Sequence, residues 1–168
     1  NKIFYEIRNK GELREELNIS KKAFVVGSFQ RDTEGADLKS PKLIKGPDRL
    51  IEIFEHYNKT KKDLLIVLSG KRRQYIINEL SKRNINYKYF EMVDFEKLNK
   101  LYNCLDLYVV ASRIEGGPQA ILECGLTKTP VISTDVGIAS EILNSKSIFD
   151  MKNFTNAEPD IDTSFKNA

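Results

Sequence analysis

The sequence predicts a doubly wound α/β domain, because short and nearly continuous apolar runs alternate with segments of helical periodicity. Runs of this kind form the strands of a parallel sheet whose two faces are both covered by helices. Five or six such strands separated by helices favour a mainly parallel, Rossmann-like sheet. The five runs cover residues 23–28, 64–69, 87–90, 105–111 and 130–134, and a short sixth strand is predicted near 147–149.

Helices are predicted between the strands, where apolar residues recur every three or four positions. Residues 48–57 place Leu50, Ile53 and Phe54 on one stripe. Asp94 is the expected N-cap of a helix over residues 95–102. The other predicted helices cover residues 74–83, 118–126 and 139–143.

Three segments are expected along the chain. Residues 1–20 form a lead-in helix or linker with a solvated Arg14, residues 21–150 form the domain, and residues 151–168 form an irregular tail. Within the domain, residues 31–45 are long and irregular for a connection between a strand and a helix. Such loops are more often functional than structural, so a role in ligand binding is expected for this one.

The composition is that of a soluble globular protein, with 168 residues of which 40% are hydrophobic and 30% charged. A net charge of +3 is too mild to indicate nucleic-acid binding. A single histidine excludes a multi-histidine metal site, and Cys104 and Cys124 are expected to be small buried hydrophobic residues. With no membrane-spanning run, we expect a cytoplasmic protein, with peripheral contact to the inner face of a membrane left open.

Right-handed crossovers place every loop that follows a strand at one edge of the sheet, and ligands of open α/β sheets bind at that edge. These loops are cationic and rich in glycine, although the chain as a whole is nearly neutral. An anionic ligand, most simply a phosphate ester, is therefore expected. For residues 71–73, contact with a nucleotide and simple solvation are equally open. The candidate residues are Gly27, Arg31, Lys42, Lys45, Gly70, Ser112, Glu115, Gly116, Gly117 and Pro118.

The most specific motif in these loops is Glu115-Gly116-Gly117-Pro118. Two glycines let a ligand approach the backbone closely, and Pro118 at the first helical position leaves the remaining amides of that turn pointing outward. The helix dipole adds partial positive charge, which suits a phosphate group. A tight strand-to-helix turn without a ligand is the alternative interpretation.

Glu123 lies within an apolar stretch of the same predicted helix. A carboxylate in that position must either reach solvent at the edge of the helix or accept a hydrogen bond. Seven residues separate Glu115 from Glu123, about two helical turns, so both side chains are able to face one crevice. Two solvated glutamates with no joint function are the alternative.

This pair of glutamates, with the two glycines between them, resembles the C-terminal donor-binding domain of family 4 (group 1) retaining glycosyltransferases, which have the GT-B fold. The similarity runs from about residue 20 to residue 150. It includes Val26-Gly27, Lys45-Gly46-Pro47-Asp48, Ser112, Pro130-Val131-Ile132, Gly137 and Glu141.

The resemblance implies a role for each matching residue. Glu115 would contact hydroxyls of the donor sugar, and the amides of Gly116 and Gly117 would contact its diphosphate. Glu123 would accept hydrogen bonds from the ribose hydroxyls. The nucleotide base would lie near Gly70 and the loop around residues 90–93.

The resemblance also implies that Arg31 and Lys45 clamp the diphosphate and stabilise the charge on the leaving group, with Lys42 competing for the second position. Gly27, Ser112 and Pro118 would complete the donor site. No metal or other cofactor would be needed, since these cations and the helix terminus carry the necessary charge.

By this resemblance, the chain would be the nucleotide-sugar-binding half of an enzyme that transfers a hexosyl group to a glycan or lipid-linked acceptor. Its partners would be the nucleotide-sugar and an N-terminal acceptor-binding domain of the same chain, and the fragment alone would be inactive. A non-catalytic module that senses phosphate or nucleotides is the alternative. Nucleic-acid binding is disfavoured, because these loops offer only Phe29 and Phe90 as aromatic residues.

Overall fold

Six parallel strands form the central sheet in the computed structural model, which describes residues 3–168. Their order is β5-β4-β1-β6-β7-β8, while β2 and β3 pair as a separate antiparallel hairpin. The predicted doubly wound parallel sheet is therefore confirmed. The strands, in chain order, are β1 (Phe24–Ser28), β2 (Thr33–Glu34), β3 (Ser40–Pro41), β4 (Leu64–Ser69), β5 (Tyr87–Phe90), β6 (Leu107–Val110), β7 (Val131–Thr134) and β8 (Ile148–Phe149).

Helices cover both faces of this sheet. One apolar cluster packs side chains of α1, α4, α5 and α6 against the strands, and a second packs those of α2 and α3 on the other side. Burial on both faces explains why the strands read as continuous apolar runs. The helices are α1 (Lys10–Glu16), α2 (Pro47–Thr60), α3 (Gln74–Lys82), α4 (Phe95–Cys104), α5 (Gln119–Thr127), α6 (Ala139–Ile142) and α7 (Ile161–Asn167).

Two local predictions within these layers are confirmed. The Asp94 side chain accepts a hydrogen bond from the backbone N–H of Lys97 at 2.8 Å and so caps α4. Cys104 and Cys124 are both buried in the apolar cluster beneath α4 and α5. Burial raises the pKa of the Cys104 thiol to about 12 and that of Cys124 well above its usual range. Both thiols therefore stay protonated and pack as apolar groups.

The lead-in segment differs from its prediction in length and in the environment of Arg14. The helix covers only Lys10–Glu16, and residues 1–2 of the predicted segment lie outside the described residues. Arg14 was expected in solvent but is buried, where its guanidinium donates to the carbonyl oxygens of Cys104 and Ala23 and pairs with Asp106 at 2.7 Å. These acceptors lie at the end of α4 and just before β1 and β6, and Cys104 and Asp106 are 90 and 92 residues from Arg14 in sequence.

The prediction of an irregular tail after Asp150 was wrong. A short 3-10 turn at Phe154–Asn156 is followed by α7, which Asp160 caps by accepting from the N–H of Thr163 at 3.0 Å. Few apolar residues mark this helix in the sequence, because it is stabilised by packing on α5 rather than by an amphipathic stripe of its own.

Residues 31–45 are also more ordered than expected, since they contain the β2–β3 hairpin.

Within residues 3–168, no helix combines the length and the apolar character that crossing a lipid bilayer requires.

Candidate functional site

The strand order reverses between β1 and β6, and a cleft of about 450 Å³ opens at the carboxyl ends of the strands beside this point. A crevice at such a reversal is where open α/β sheets bind ligands. Loops that are far apart in sequence meet here, as the crossover rule predicts. The cleft is lined by Phe29, Gln30, Lys45, Ser69, Gly70, Glu91, Met92, Val93, Leu98, Tyr102, Tyr108, Glu115, Gly117, Pro118, Gln119, Ala120 and Glu123.

Glu115 lies at one side of the cleft and is joined there by two other predicted residues. Its Oε1 accepts a hydrogen bond from Lys45 Nζ at 2.5 Å and another from Ser112 Oγ at 3.1 Å. Only 12% of the Glu115 side chain and 25% of the Lys45 side chain are exposed, so this ion pair is largely shielded from solvent. The structure thus brings together Lys45, Ser112 and Glu115, which are up to 70 residues apart in sequence.

Lys45 is held at the cleft by the way α2 begins. A 3-10 turn over Leu43–Lys45 ends at Gly46, whose left-handed φ of 67° leads directly into the helix. Arg113, in the loop after β6, holds this turn in place. Its side chain pairs with Asp48, and its backbone N–H donates to the carbonyl oxygen of Ile44. The hydrogen bond from Arg113 lowers the pKa of Asp48 below its usual range.

Glu123 approaches the same cleft from the first turns of α5. It is half-buried, and its Oε2 accepts a hydrogen bond from the Tyr102 hydroxyl at 2.5 Å. Burial raises the pKa of the Glu123 carboxyl, while the Tyr102 hydrogen bond acts in the opposite direction. Glu115 and Glu123 therefore converge on one cleft, so the alternative of two solvated glutamates does not hold.

Open space lies beside both glycines of the pair, and Gly117 lines the cleft. A side chain added at Gly116 or Gly117 would meet nothing among the described residues within 4 Å. The helix begins one residue later than predicted, with Pro118 as its N-cap. Proline has no side-chain acceptor, and the first amides of a helix have no intrahelical partner. These amides can therefore donate to an anion in the cleft.

Five predicted residues lie outside the lining of the cleft, namely Gly27, Arg31, Lys42, Ser112 and Gly116. Ser112 still contacts Glu115, and Gly116 directly follows it in the chain. Arg31 is exposed, and its Nε donates to the carbonyl oxygen of Thr33 at 3.0 Å. Lys42 is half-buried in the connection to α2, and of the two competing lysines it is Lys45 that reaches the cleft. Gly27 is buried within β1, where an added Cβ would overlap the Leu105 side chain, so it allows close packing rather than access for a ligand.

Arg73 has neither of the two environments expected for it, since it contacts neither solvent nor the cleft. It is fully buried and pairs with Asp32 at 2.5 Å between Nε and Oδ2. Its Nη1 donates to the carbonyl oxygens of Ser28 and Ser69, the last residues of β1 and β4. Arg73 therefore holds together the two strand ends from which Phe29, Gln30 and Gly70 enter the cleft.

Tyr102 and Gln30 also line the cleft, although no motif in the sequence marks them as site residues. Gln30 lines the cleft beside Ser112, whose hydroxyl donates to Gln30 Oε1 at 3.4 Å. Tyr102 lies on the buried face of α4, and its hydroxyl faces Glu123. A tyrosine on a buried face needs a hydrogen-bond partner, and that requirement was the available signal.

Among residues 3–168, no group of three or more His, Cys, Asp or Glu side chains is arranged to hold a metal ion. Positive charge in the cleft comes from Lys45 and from the N-terminus of α5.

The raised pKa of Glu123 predicts how the stability of the domain depends on pH. A carboxyl whose pKa is higher in the folded state than its ordinary 4.5 costs stability as the pH rises from 4.5 through that raised value. Glu123→Gln keeps an acceptor for Tyr102 but never ionises. We expect this variant to unfold at a higher temperature than the wild type at about pH 7.5, with the difference vanishing near pH 4.

Thermal unfolding followed by circular dichroism between these two pH values measures this difference. Glu141→Gln, a change at an exposed glutamate of α6, is the matched control and should leave the unfolding temperature unchanged at both. A Glu123→Gln variant less stable than the wild type at neutral pH would contradict the assigned environment of this carboxyl.

The amino-acid sequence also shows the family to which this chain belongs. Residues 39–163 match the family described as glycosyl transferases group 1, and the chain is a member of that family. The fold is that of the C-terminal half of a GT-B glycosyltransferase. A search of curated protein sequences finds no significant match.

Solved structures show the same fold at low sequence identity. One is the C-terminal domain of a glycosyl transferase group 1 family protein, LpcC from Francisella tularensis, at 18% identity and a TM-score of 0.72, covering 98% of this chain and 95% of that one. Sucrose-phosphate synthase from Thermosynechococcus elongatus is 20% identical with a TM-score of 0.68, and the match covers 92% of this chain and 39% of that one. HepE from Anabaena, in complex with UDP and glucose, is 19% identical with a TM-score of 0.67, covering 86% and 38%. The chain thus spans about two fifths of the length of the last two proteins.

Proposed function

We propose that this chain is the nucleotide-sugar-binding half of a retaining glycosyltransferase, which transfers a hexosyl group from a nucleoside-diphosphate sugar to a glycan or lipid-linked acceptor. The observation that carries the proposal is the convergence of Glu115 and Glu123 on one cleft, on either side of the open glycine pair. HepE, which has the same fold, binds UDP and glucose, and this supports a nucleotide-sugar as the ligand.

The diphosphate binds between the N-terminus of α5 and Lys45. Amides of the Gly116-Gly117 turn donate to its oxygens, and the Lys45 ammonium, held by Glu115, neutralises the charge that develops on the leaving group. These groups supply the positive charge that a divalent cation would otherwise provide, so the reaction needs no metal.

The nucleoside extends from the diphosphate along α5 and across the ends of β4 and β5. Glu123 accepts hydrogen bonds from the ribose hydroxyls, a task suited to a carboxylate with two oxygens. The base lies against Gly70 and the loop after β5, where Val93 and Leu98 provide apolar surface.

The donor sugar lies beside Glu115, whose carboxylate and the nearby Gln30 and Ser112 offer partners for sugar hydroxyls. The acceptor hydroxyl attacks the anomeric carbon from the face of the departing phosphate, so the configuration is retained. An N-terminal acceptor-binding domain aligns the two substrates, and such alignment is worth about 7 to 11 kcal/mol of barrier. This half alone therefore binds the donor weakly and transfers little sugar.

Calorimetry without metal, in the presence of EDTA, tests the proposal with UDP, GDP, ADP and inorganic phosphate. We expect one nucleoside diphosphate to bind more tightly than phosphate, and Glu123→Ala to weaken that binding by about 10- to 150-fold, the loss of one hydrogen bond to a charged group. Glu141→Ala, a change on the exposed side of α6, should bind as the wild type does.

An equal response to phosphate and to all nucleotides, unchanged in Glu123→Ala, would instead favour a phosphate-sensing module. The role of Glu115 is tested by a transfer assay on a protein that includes the acceptor-binding half. Full activity in Glu115→Ala would remove this residue from the site.

A further inference from the structure

Tyr102 is a buried polar side chain at the cleft with no role in the mechanism proposed above. It lies on α4, is 1% exposed, and donates its hydroxyl proton to Glu123 Oε2 on α5 at 2.5 Å. This hydrogen bond occupies one of the two carboxylate oxygens and leaves Oε1 for a ligand in the cleft. The contact with Tyr102 therefore determines which oxygen of the Glu123 carboxylate is available to a ligand.

The ring of Tyr102 cannot easily turn away from this contact. It packs edge-on against Phe4 and Phe29, with ring centroids 6.0 Å and 4.9 Å away, and at a tilt of 43° against Tyr108, with ring centroids 5.4 Å apart. Its backbone carbonyl accepts a hydrogen bond from Thr129 Oγ1 at 2.9 Å, which fixes the last turn of α4. Because the ring is held in this position, its hydroxyl is directed at Glu123 and donates to the carboxylate.

We infer that Tyr102 is a positioning residue, which fixes the Glu123 carboxylate in its charged form and in the orientation that binds the ribose hydroxyls. The inference rests on the proposed function, in which Glu123 contacts the ribose. Tyr102 itself contacts no reacting atom in this scheme and acts only through Glu123.

The physical reason is that burial disfavours the carboxylate charge. A hydrogen bond from a neutral hydroxyl stabilises the charged form, and burial keeps Tyr102 itself protonated by raising its pKa well above the usual value. Without that hydroxyl, Glu123 would bind a proton at higher pH and rotate more freely. The carboxylate would then be a weaker acceptor for ribose at neutral pH.

Other titratable groups face Glu123 and must be separated from its effect. Tyr108 from β6 and Cys124 from α5 have pKa values raised by burial, so both are neutral between about pH 5 and 8. Lys45, Glu91 and Glu115 line the same cleft from other elements. A pH effect is assigned to Glu123 only where Glu123→Gln abolishes it.

The experiment uses Tyr102→Phe, which removes one oxygen atom and keeps the ring packing. Tyr108→Phe is the matched control, because Tyr108 is equally buried beside Tyr102 but its hydroxyl accepts from the backbone N–H of Phe29 instead. The first readout needs no ligand and is the pKa of the Glu123 side-chain carboxyl, measured by carbon NMR. We expect Tyr102→Phe to raise this pKa and Tyr108→Phe to leave it unchanged.

The second readout is the affinity for whichever of UDP, GDP and ADP binds the wild type most tightly, measured from about pH 5 to 8. We expect Tyr102→Phe to weaken binding about tenfold near pH 7 and to move the midpoint of the pH profile upward. In the Glu123→Ala background, which removes the oxygen that accepts from Tyr102, adding Tyr102→Phe should change the affinity by less than about twofold, since both changes act on one interaction.

The remaining outcomes distinguish a failure of the inference from a failure of the proposed function. An unchanged Glu123 pKa and an unchanged pH profile in Tyr102→Phe overturn the inference, and the proposed function stands if Glu123→Ala still weakens nucleotide binding. Equal pKa shifts in Tyr102→Phe and Tyr108→Phe reveal a general effect of packing and overturn the inference too. If no nucleoside diphosphate binds the wild type, both the function and the inference fail.

Discussion

Arg73→Met is expected to lower the free energy of unfolding by about 3–5 kcal/mol, because it leaves the Asp32 carboxylate buried without its partner. The pair is fully enclosed, with 0% of the Arg73 side chain and 1% of the Asp32 side chain exposed. The substitution also removes the donors that join the carbonyl oxygens of Ser28 and Ser69. Urea unfolding monitored by circular dichroism measures the loss.

Arg83→Met is the matched control for this experiment. Arg83 is 31% exposed at the end of α3, where it pairs with Glu55 and Glu79 in contact with solvent. Such pairs contribute about 0–1 kcal/mol, so this variant should remain close to the wild type. Equal losses of stability in the two variants would mean that the buried Arg73–Asp32 pair contributes no more to stability than the exposed pairs of Arg83. We also expect Arg73→Met to loosen the cleft, since the loops after β1 and β4 both depend on it.

Gly46→Ala is expected to destabilise the domain by about 2–5 kcal/mol. Gly46 has a φ of +67°, which costs a residue with a Cβ about 1–2 kcal/mol. The added Cβ would also overlap the carbonyl oxygen of Ala111, and overpacking against a rigid backbone costs about 1–3 kcal/mol more. Because Lys45 directly precedes Gly46, the shift should also move its ammonium from Glu115 and weaken nucleoside-diphosphate binding.

Gly117→Ala separates the effect on folding from the effect on binding. A Cβ at Gly117 would enter open space in the described structure, so unfolding should change by less than about 0.5 kcal/mol. Binding of a nucleoside diphosphate should still weaken, because the methyl group would occupy the space where the diphosphate approaches the amides. Denaturation and calorimetry on the two variants test both statements, and a Gly46→Ala protein as stable as the wild type would contradict the first.

The two glutamates of the cleft are in different surroundings, which fits a division of tasks between them. Glu115 contacts a cation and a hydroxyl, through Lys45 and Ser112, whereas Glu123 contacts only the Tyr102 hydroxyl among the described side chains. A carboxylate beside an ammonium can hold that cation at the leaving group. A carboxylate with one free oxygen in a half-buried position is suited to binding neutral hydroxyl groups.

Much of the fold was readable from local patterns in the sequence. Strands β4 and β5 have the bounds that the apolar runs predict, and α4 begins after the predicted cap, Asp94. Strands buried on both faces must be apolar throughout, and a helix over a sheet must carry a stripe, so these features are visible in one short segment at a time. The crossover rule then placed the Glu115 loop at the binding edge of the sheet, and the spacing of about two helical turns allowed Glu123 to face the same crevice.

Only the tertiary structure determines which polar groups contact one another. Arg14 and Arg73 have the same chemistry as exposed arginines, and they are buried because the fold brings distant acceptors to them, such as Cys104 for Arg14 and Ser28 for Arg73. Arg31 and Lys45 looked equivalent in the sequence, yet only Lys45 reaches the cleft. The amino-acid sequence determined by itself where strands and helices form, since this depends on neighbours along the chain. Ion pairs and hydrogen bonds between side chains depend on distances across the fold, so they became visible only in three dimensions.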